Sequence, residues 1–125
     1  MDKILIVDDE VEVAQFLSNF LRRKGIKTFP ATTVKEAIDI FLRERPNLVF
    51  LDIRMQTPDD GFIILEKIRE VASEEEVKVV MLTAREDRAS IMKAKKLGAQ
   101  DYLVKPIDLM TFDKLVFQYL KESHS

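Results

Sequence analysis

Four short apolar runs, at 4–7, 48–51, 77–82 and 102–104, are rich in Val, Ile and Leu and lack the alternation of a strand wetted on one face. Strands of that kind are buried on both sides, so the chain needs a parallel sheet with covering layers above and below. A weaker, more polar run at 26–29 suits an edge strand after the helix stop at Lys24-Gly25. Between the runs the apolar spacing turns helical: Val13, Phe16, Leu17, Phe20 and Leu21, then Val34, Ala37, Ile38, Phe41 and Leu42. Segments 62–72, 87–97 and 109–120 carry the same period, the first two less cleanly.

Stops and starts agree with these elements. Thr33 precedes Glu36 by three residues in capping-box spacing, Pro46 closes the second helix, Gly98 the fourth, and Asp108 stands as N-cap of the fifth. Five strands alternating with five helices predict a doubly wound α/β sheet joined by right-handed crossovers. A length of 125 residues with 46% hydrophobic residues predicts one domain over 1–125, with no internal repeat or linker.

Composition removes several functions. The 20 basic and 22 acidic residues give a net charge of −2, without the basic excess that direct nucleic-acid binding uses. With no cysteine there is neither a disulfide framework nor a thiolate metal site. No apolar stretch is long enough for a signal peptide or membrane span, so a cytoplasmic protein without membrane contact is expected. Gly25, Gly61 and Gly98 are the only glycines and form neither G-x-G-x-x-G nor a P-loop, which disfavours a nucleotide- or flavin-binding domain of the same architecture.

In open α/β sheets, ligand chemistry gathers beyond the carboxyl ends of the strands. The residues ending each run are Asp8 and Asp9, Asp52, Thr83 and Lys105. Three converging carboxylates need a cation or a proton to offset their repulsion. Magnesium suits hard oxygen ligands without His or Cys, and would orient a phosphoryl donor. One carboxylate can then act as nucleophile on phosphorus, with Lys105 and Thr83 binding phosphoryl oxygens. Asp52 closes the central apolar run, and Asp8 and Asp9 are better placed for the metal.

Taken singly, these residues have plainer readings. Asp8 and Asp9 serve as well to cap the first helix, Thr83 is an ordinary strand-end hydroxyl, Lys105 a solvated charge and Tyr102 a half-buried core aromatic. Joint placement with Asp52 favours function. On the last helix, Leu109, Phe112, Leu115, Val116, Tyr119 and Leu120 form the expected buried stripe. Met110 and Phe117 fall opposite, either as scattered surface hydrophobes or as partner contacts. His124, in a polar tail, is expected to be a disordered end rather than a phosphoryl carrier.

The motifs Ile4-Leu5-Ile6-Val7-Asp8-Asp9-Glu10, Leu51-Asp52, Leu82-Thr83-Ala84, Gly98-Ala99-Gln100-Asp101-Tyr102 and Lys105-Pro106, in this order and spacing, closely resemble the receiver domains of response regulators in two-component signalling, including the stand-alone chemotaxis and sporulation types. The resemblance covers nearly the whole chain. It implies a flavodoxin-like sheet in the order 2-1-3-4-5, and phosphorylation of Asp52 by a histidine kinase, phosphotransfer protein or small phosphodonor. It further implies Mg2+ held by Asp8, Asp9, Asp52 and the backbone carbonyl of Arg54, a switch made by Thr83 and Tyr102, and pairing of Lys105 with the phosphate. The Lys105-Pro106 peptide is expected cis.

Such a chain is a switch rather than an enzyme on an external substrate, catalysing only its own phosphorylation and slow autodephosphorylation. The length leaves no room for the cap that an aspartyl-phosphate hydrolase would need. Its readout surface, for a downstream output protein or domain or for a dimer, would be the fourth helix, fifth strand and fifth helix. Arg54 and Arg85, each two residues beyond a site residue, are expected to border the phosphoryl group and tune its lifetime. The loop Gln56-Thr57-Pro58-Asp59-Asp60-Gly61 departs from the family pattern, being one residue longer than is common.

Overall fold

The computed structural model describes residues 1–84 and 88–124. The elements alternate as β1 (Lys3–Val7), α1 (Val11–Arg23), β2 (Lys27–Ala31), α2 (Val34–Glu44), β3 (Leu48–Asp52), α3 (Asp60–Val71), β4 (Lys78–Thr83), α4 (Arg88–Lys96), β5 (Asp101–Val104) and α5 (Leu109–Ser123). The five strands form one parallel sheet in the order β2-β1-β3-β4-β5.

The unalternating runs are explained by two hydrophobic layers. Leu5, Val7, Val49 and Leu51 face a cluster shared with α2, α3 and α4, whereas Ile4, Ile6, Leu48 and Phe50 face one shared with α1 and α5. Successive side chains of a strand point to opposite faces, so both parities must be apolar. No helix among the described residues is long and apolar enough to cross a membrane.

Element ends follow local chemistry. α1 stops because Gly25 adopts φ 84°, letting the Ile26 amide donate to Leu21 O at 3.1 Å in a Schellman turn. Ile26 is therefore spent on the helix stop, and β2 begins one residue later, and ends two later, than the 26–29 pattern suggests. It includes Pro30, which an edge strand tolerates because only one side of it is paired. α2 opens on Thr33, whose Oγ1 accepts from Glu36 N at 3.1 Å while Glu36 reaches back to Thr32 N at 2.8 Å. Asp108 caps α5 by accepting from Thr111 N at 3.0 Å.

α5 buries Phe112, Val116 and Tyr119 fully and Leu109, Leu115 and Leu120 in part. Met110 and Phe117 are exposed, as the helical period requires. His124 Nε2 lies 2.7 Å from Asp2 Oδ1, beside the start of β1.

Candidate functional site

Sheet register brings the site together. Val7 is level with Leu51, Asp52 with Leu82, and Thr83 with Val104, so the residues ending β1, β3, β4 and β5 share one rim. Backbone bonds continue past the strands and hold the rim: Asp8 N to Ala31 O at 3.0 Å, Ile53 N to Leu82 O at 3.0 Å, and Lys105 N to Thr83 O at 2.7 Å. The Lys105-Pro106 peptide is cis.

Three carboxylates meet there. Asp8, Asp9 and Asp52 each offer an oxygen within 4.8 Å of the others, Asp8 and Asp52 buried and Asp9 exposed. Lys105 Nζ bridges two of them and Glu10, 2.7 Å from Asp8 Oδ2, 3.1 Å from Asp52 Oδ2 and 3.4 Å from Glu10 Oε1. Asp9, Glu10, Asp52, Arg54, Thr83 and Lys105 line a cleft of about 130 Å3 over the cluster. Arg54 is exposed at its edge, and Thr83 is buried at the end of β4. Arg85, expected beside it, lies outside the described residues.

Asp8 and Asp9 are not spent on capping α1. The N-cap is Glu10, without a side-chain cap bond, and Asp8 Oδ1 accepts only from the Glu10 amide at 2.9 Å. The other oxygen, Asp8 Oδ2, is sealed from solvent and has the Lys105 ammonium as its neighbour at 2.7 Å. Three carboxylate oxygens within 4.8 Å of one another, with no His or Cys beside them, are a donor set that fits a hard divalent cation.

Electrostatics give the same picture. Burial pushes the Asp52 carboxyl up, the Lys105 charge pulls it down and the Asp8 and Asp9 charges push it up, for a net value of about 7. Burial would lower the Lys105 ammonium, but pairing with Asp8 and Asp52 prevails and holds it above the ordinary lysine value.

Tyr102 is half-buried on β5, level with Met81, and packs against the layer that Met81 joins. Met81 and Thr83, two apart on β4, share a strand face, so Thr83 and Tyr102 lie on the same side of the sheet. Asp101 anchors this corner by accepting from the Tyr102 amide at 2.8 Å and from the Tyr119 hydroxyl at 3.0 Å.

Two supporting residues escaped the sequence reading. Gly61, in the first turn of α3, donates its amide to Ile53 O at 2.9 Å. A Cβ there would meet Asp52 O and come within 2.6 Å of Ile53 Cα, so the glycine lets α3 start directly on the backbone of the candidate nucleophile. Asp60 is the second. Its carboxylate accepts from Gln56 N and Thr57 N, both at 3.0 Å, and from Thr57 Oγ1 at 2.6 Å, folding the loop ahead of α3 onto itself. A lone glycine directly after paired acids, where a helix begins, was the available signal.

Residues 4–117 match the family model of the response regulator receiver domain. Sporulation initiation phosphotransferase F of Bacillus subtilis (strain 168) is 34% identical over 119 residues, covering 95% of this chain and 94% of that protein. A probable transcriptional regulator, ycf27, of Porphyridium aerugineum is 39% identical over 105 residues, and there the match spans only 42% of the relative's length. Among solved structures, a two-component response regulator from Clostridium difficile superposes with a TM-score of 0.90 at 33% identity, each chain covered in full. Strand order, rim and matched sequence agree, and the chain belongs to the response regulator receiver domain family of two-component systems.

Proposed function

We propose that this chain is a phosphoacceptor switch in which Asp52 takes a phosphoryl group from a histidine kinase, a phosphotransfer protein or a small phosphodonor. The observation that carries the reading is the buried Asp52 carboxylate at the carboxyl end of β3, with Lys105 Nζ 3.1 Å away and two further carboxylates beside it. An Asp52 oxygen attacks phosphorus, the bond from phosphorus to the donor's nitrogen or oxygen breaks, and the electron pair leaves with the donor, which takes up a proton. Asp8, Asp9 and Asp52, with the Arg54 carbonyl, would hold a magnesium ion, which when bound offsets negative charge on the reacting oxygens.

Lys105 then moves from carboxylate to phosphoryl oxygen, and Thr83 supplies a hydroxyl to another. Tyr102, on the same sheet face as Thr83, repacks with it, which biases the α4–β5–α5 surface towards one of two arrangements. There Met92 and Val104 are exposed for a downstream output protein. Arg54 at the cleft edge, and Arg85, shield the acyl phosphate from water and set its lifetime. The chain catalyses its own phosphorylation and slow dephosphorylation and acts on no external substrate.

Beryllofluoride titration followed by NMR tests this. Slow-exchange shifts at Thr83, Tyr102 and α5 that require Mg2+ and vanish in Asp52→Asn are expected, and shifts that persist in Asp52→Asn would contradict it.

A further inference from the structure

Two acids open α3, and neither caps it in the ordinary way. Asp59, at the N-cap, makes no side-chain cap bond. Asp60, the first helical residue, is 7% exposed and turns its carboxylate back towards the chain ahead of it, where it accepts from Gln56 N, Thr57 N and Thr57 Oγ1. Acids at a helix N-terminus are satisfied by the dipole and the free amides of the first turn, and need no such detour. Three hydrogen bonds to two consecutive residues make a clasp that fixes where Thr57 stands.

Thr57 in turn holds Met55, whose amide donates to Thr57 O at 3.2 Å. The Met55 N–H and the Arg54 carbonyl belong to one planar trans peptide, so they point in opposite directions and fixing one fixes the other. The chain on the other side of Arg54 is tied as well: Ile53 N donates to Leu82 O at 3.0 Å and Ile53 O accepts from Gly61 N at 2.9 Å. Arg54 lines the cleft over the three carboxylates together with Asp9 and Asp52. Its carbonyl is therefore a neutral oxygen donor whose direction the loop sets beforehand.

Direction matters differently to different ions. Mg2+ demands a near-octahedral shell at about 2.0–2.1 Å, whereas Ca2+ accepts roughly six to eight oxygens at about 2.3–2.6 Å in flexible arrangements. A preset carbonyl lowers the cost of a strict shell and is worth little to a loose one. We infer that Asp60 is the positioning residue of the metal site: through Thr57 and Met55 it aims the Arg54 carbonyl, and thereby tilts the selectivity of the rim towards Mg2+ relative to Ca2+. The inference rests on the reading above of the rim as a divalent-cation site.

Titrating the full chain with MgCl2 and, separately, with CaCl2, followed by amide NMR shifts at the rim, tests it without phosphorylation. Asp60→Ala is expected to weaken Mg2+ roughly 10–100-fold, the usual effect of losing a residue that orients a ligand, and Ca2+ no more than about threefold. Asp60→Asn, whose amide oxygen still accepts from both loop amides and whose NH2 donates to the Thr57 hydroxyl, restores Mg2+ binding to within about threefold of wild type. Glu76→Ala, which removes a carboxylate that accepts from Ser73 N ahead of β4, at the opposite end of the strands, leaves both affinities unchanged. If Asp60→Ala does not melt cooperatively, Thr57→Val decides: Mg2+ weakened about threefold with Ca2+ unmoved supports the clasp, and both unmoved overturns it. Wild type that binds neither ion overturns the metal-site reading and the inference with it. Where wild type binds Mg2+, the inference alone is overturned if Asp60→Ala leaves both affinities intact or weakens both equally. It is also overturned if Asp60→Asn is as weak as Asp60→Ala, which assigns the effect to charge rather than to the clasp.

Discussion

At the residue scale, the chemistry depends on how unevenly charge is shared among four side chains. Asp8 and Asp52 are buried, and among the described residues Lys105 bridges them with a single positive charge. The Asp52 carboxyl, raised to about 7, favours a proton in the folded protein relative to its ordinary value of 3.8. The folded state therefore binds more protons than the unfolded chain between those values, and stability of the magnesium-free protein falls as pH rises through about 7. Asp52→Asn should remove that slope and raise stability near pH 8 by roughly 1–3 kcal/mol, checked by urea melts in EDTA. Gly61 is the other residue with a sharp expectation. Gly61→Ala must push α3 off the Asp52–Ile53 backbone, costing about 2–4 kcal/mol and slowing phosphorylation at least tenfold in protein that still melts cooperatively.

At the element scale, a loop-binding carboxylate, a helix cap and one buried hydroxyl give further tests. Asp60 and Asp108 sit below the ordinary carboxyl range, each first because a threonine hydroxyl, Thr57 or Thr111, donates to it. Carboxyls depressed in this way contribute stability that is complete above 3.8 and is lost as pH falls through their folded values. The melting temperature should therefore drop below pH 4, less steeply in Thr57→Val and Thr111→Val than in wild type. Ser18, fully buried on the sheet-facing side of α1, has a hydroxyl without a hydrogen-bond partner among the described residues. Ser18→Ala should leave phosphorylation unchanged and stabilise the protein by up to about 1 kcal/mol, because it removes a desolvated donor without opening a large cavity.

At the scale of the whole molecule, the amino-acid sequence reveals the sheet and the rim for one reason. Strands buried on both faces cannot hide their composition, and the residues that end them fall at one edge once the strands run parallel. Asp8, Asp9, Asp52, Thr83 and Lys105 were legible in that way, and Thr33 and Asp108 through cap chemistry. What the pattern could not convey depends on contacts between distant segments. Periodicity does not show that Gly61 touches the Asp52 backbone, that Glu10 joins Asp8 and Asp52 around Lys105, or that Asp2 lies beside His124. The start of β2 shifted for a local reason of the same kind, because the Ile26 amide is claimed by Leu21.

All of these levels meet in whether Asp52 captures phosphorus with the help of a divalent ion. The most direct measurement treats the purified chain with phosphoramidate in Mg2+ or in EDTA, reduces any acyl phosphate with borohydride and maps the modified peptide by mass spectrometry. Reduction confined to Asp52, present with Mg2+ and absent with EDTA, is the predicted result. Modification at another residue, equal labelling in EDTA, or no labelling under either condition would contradict it.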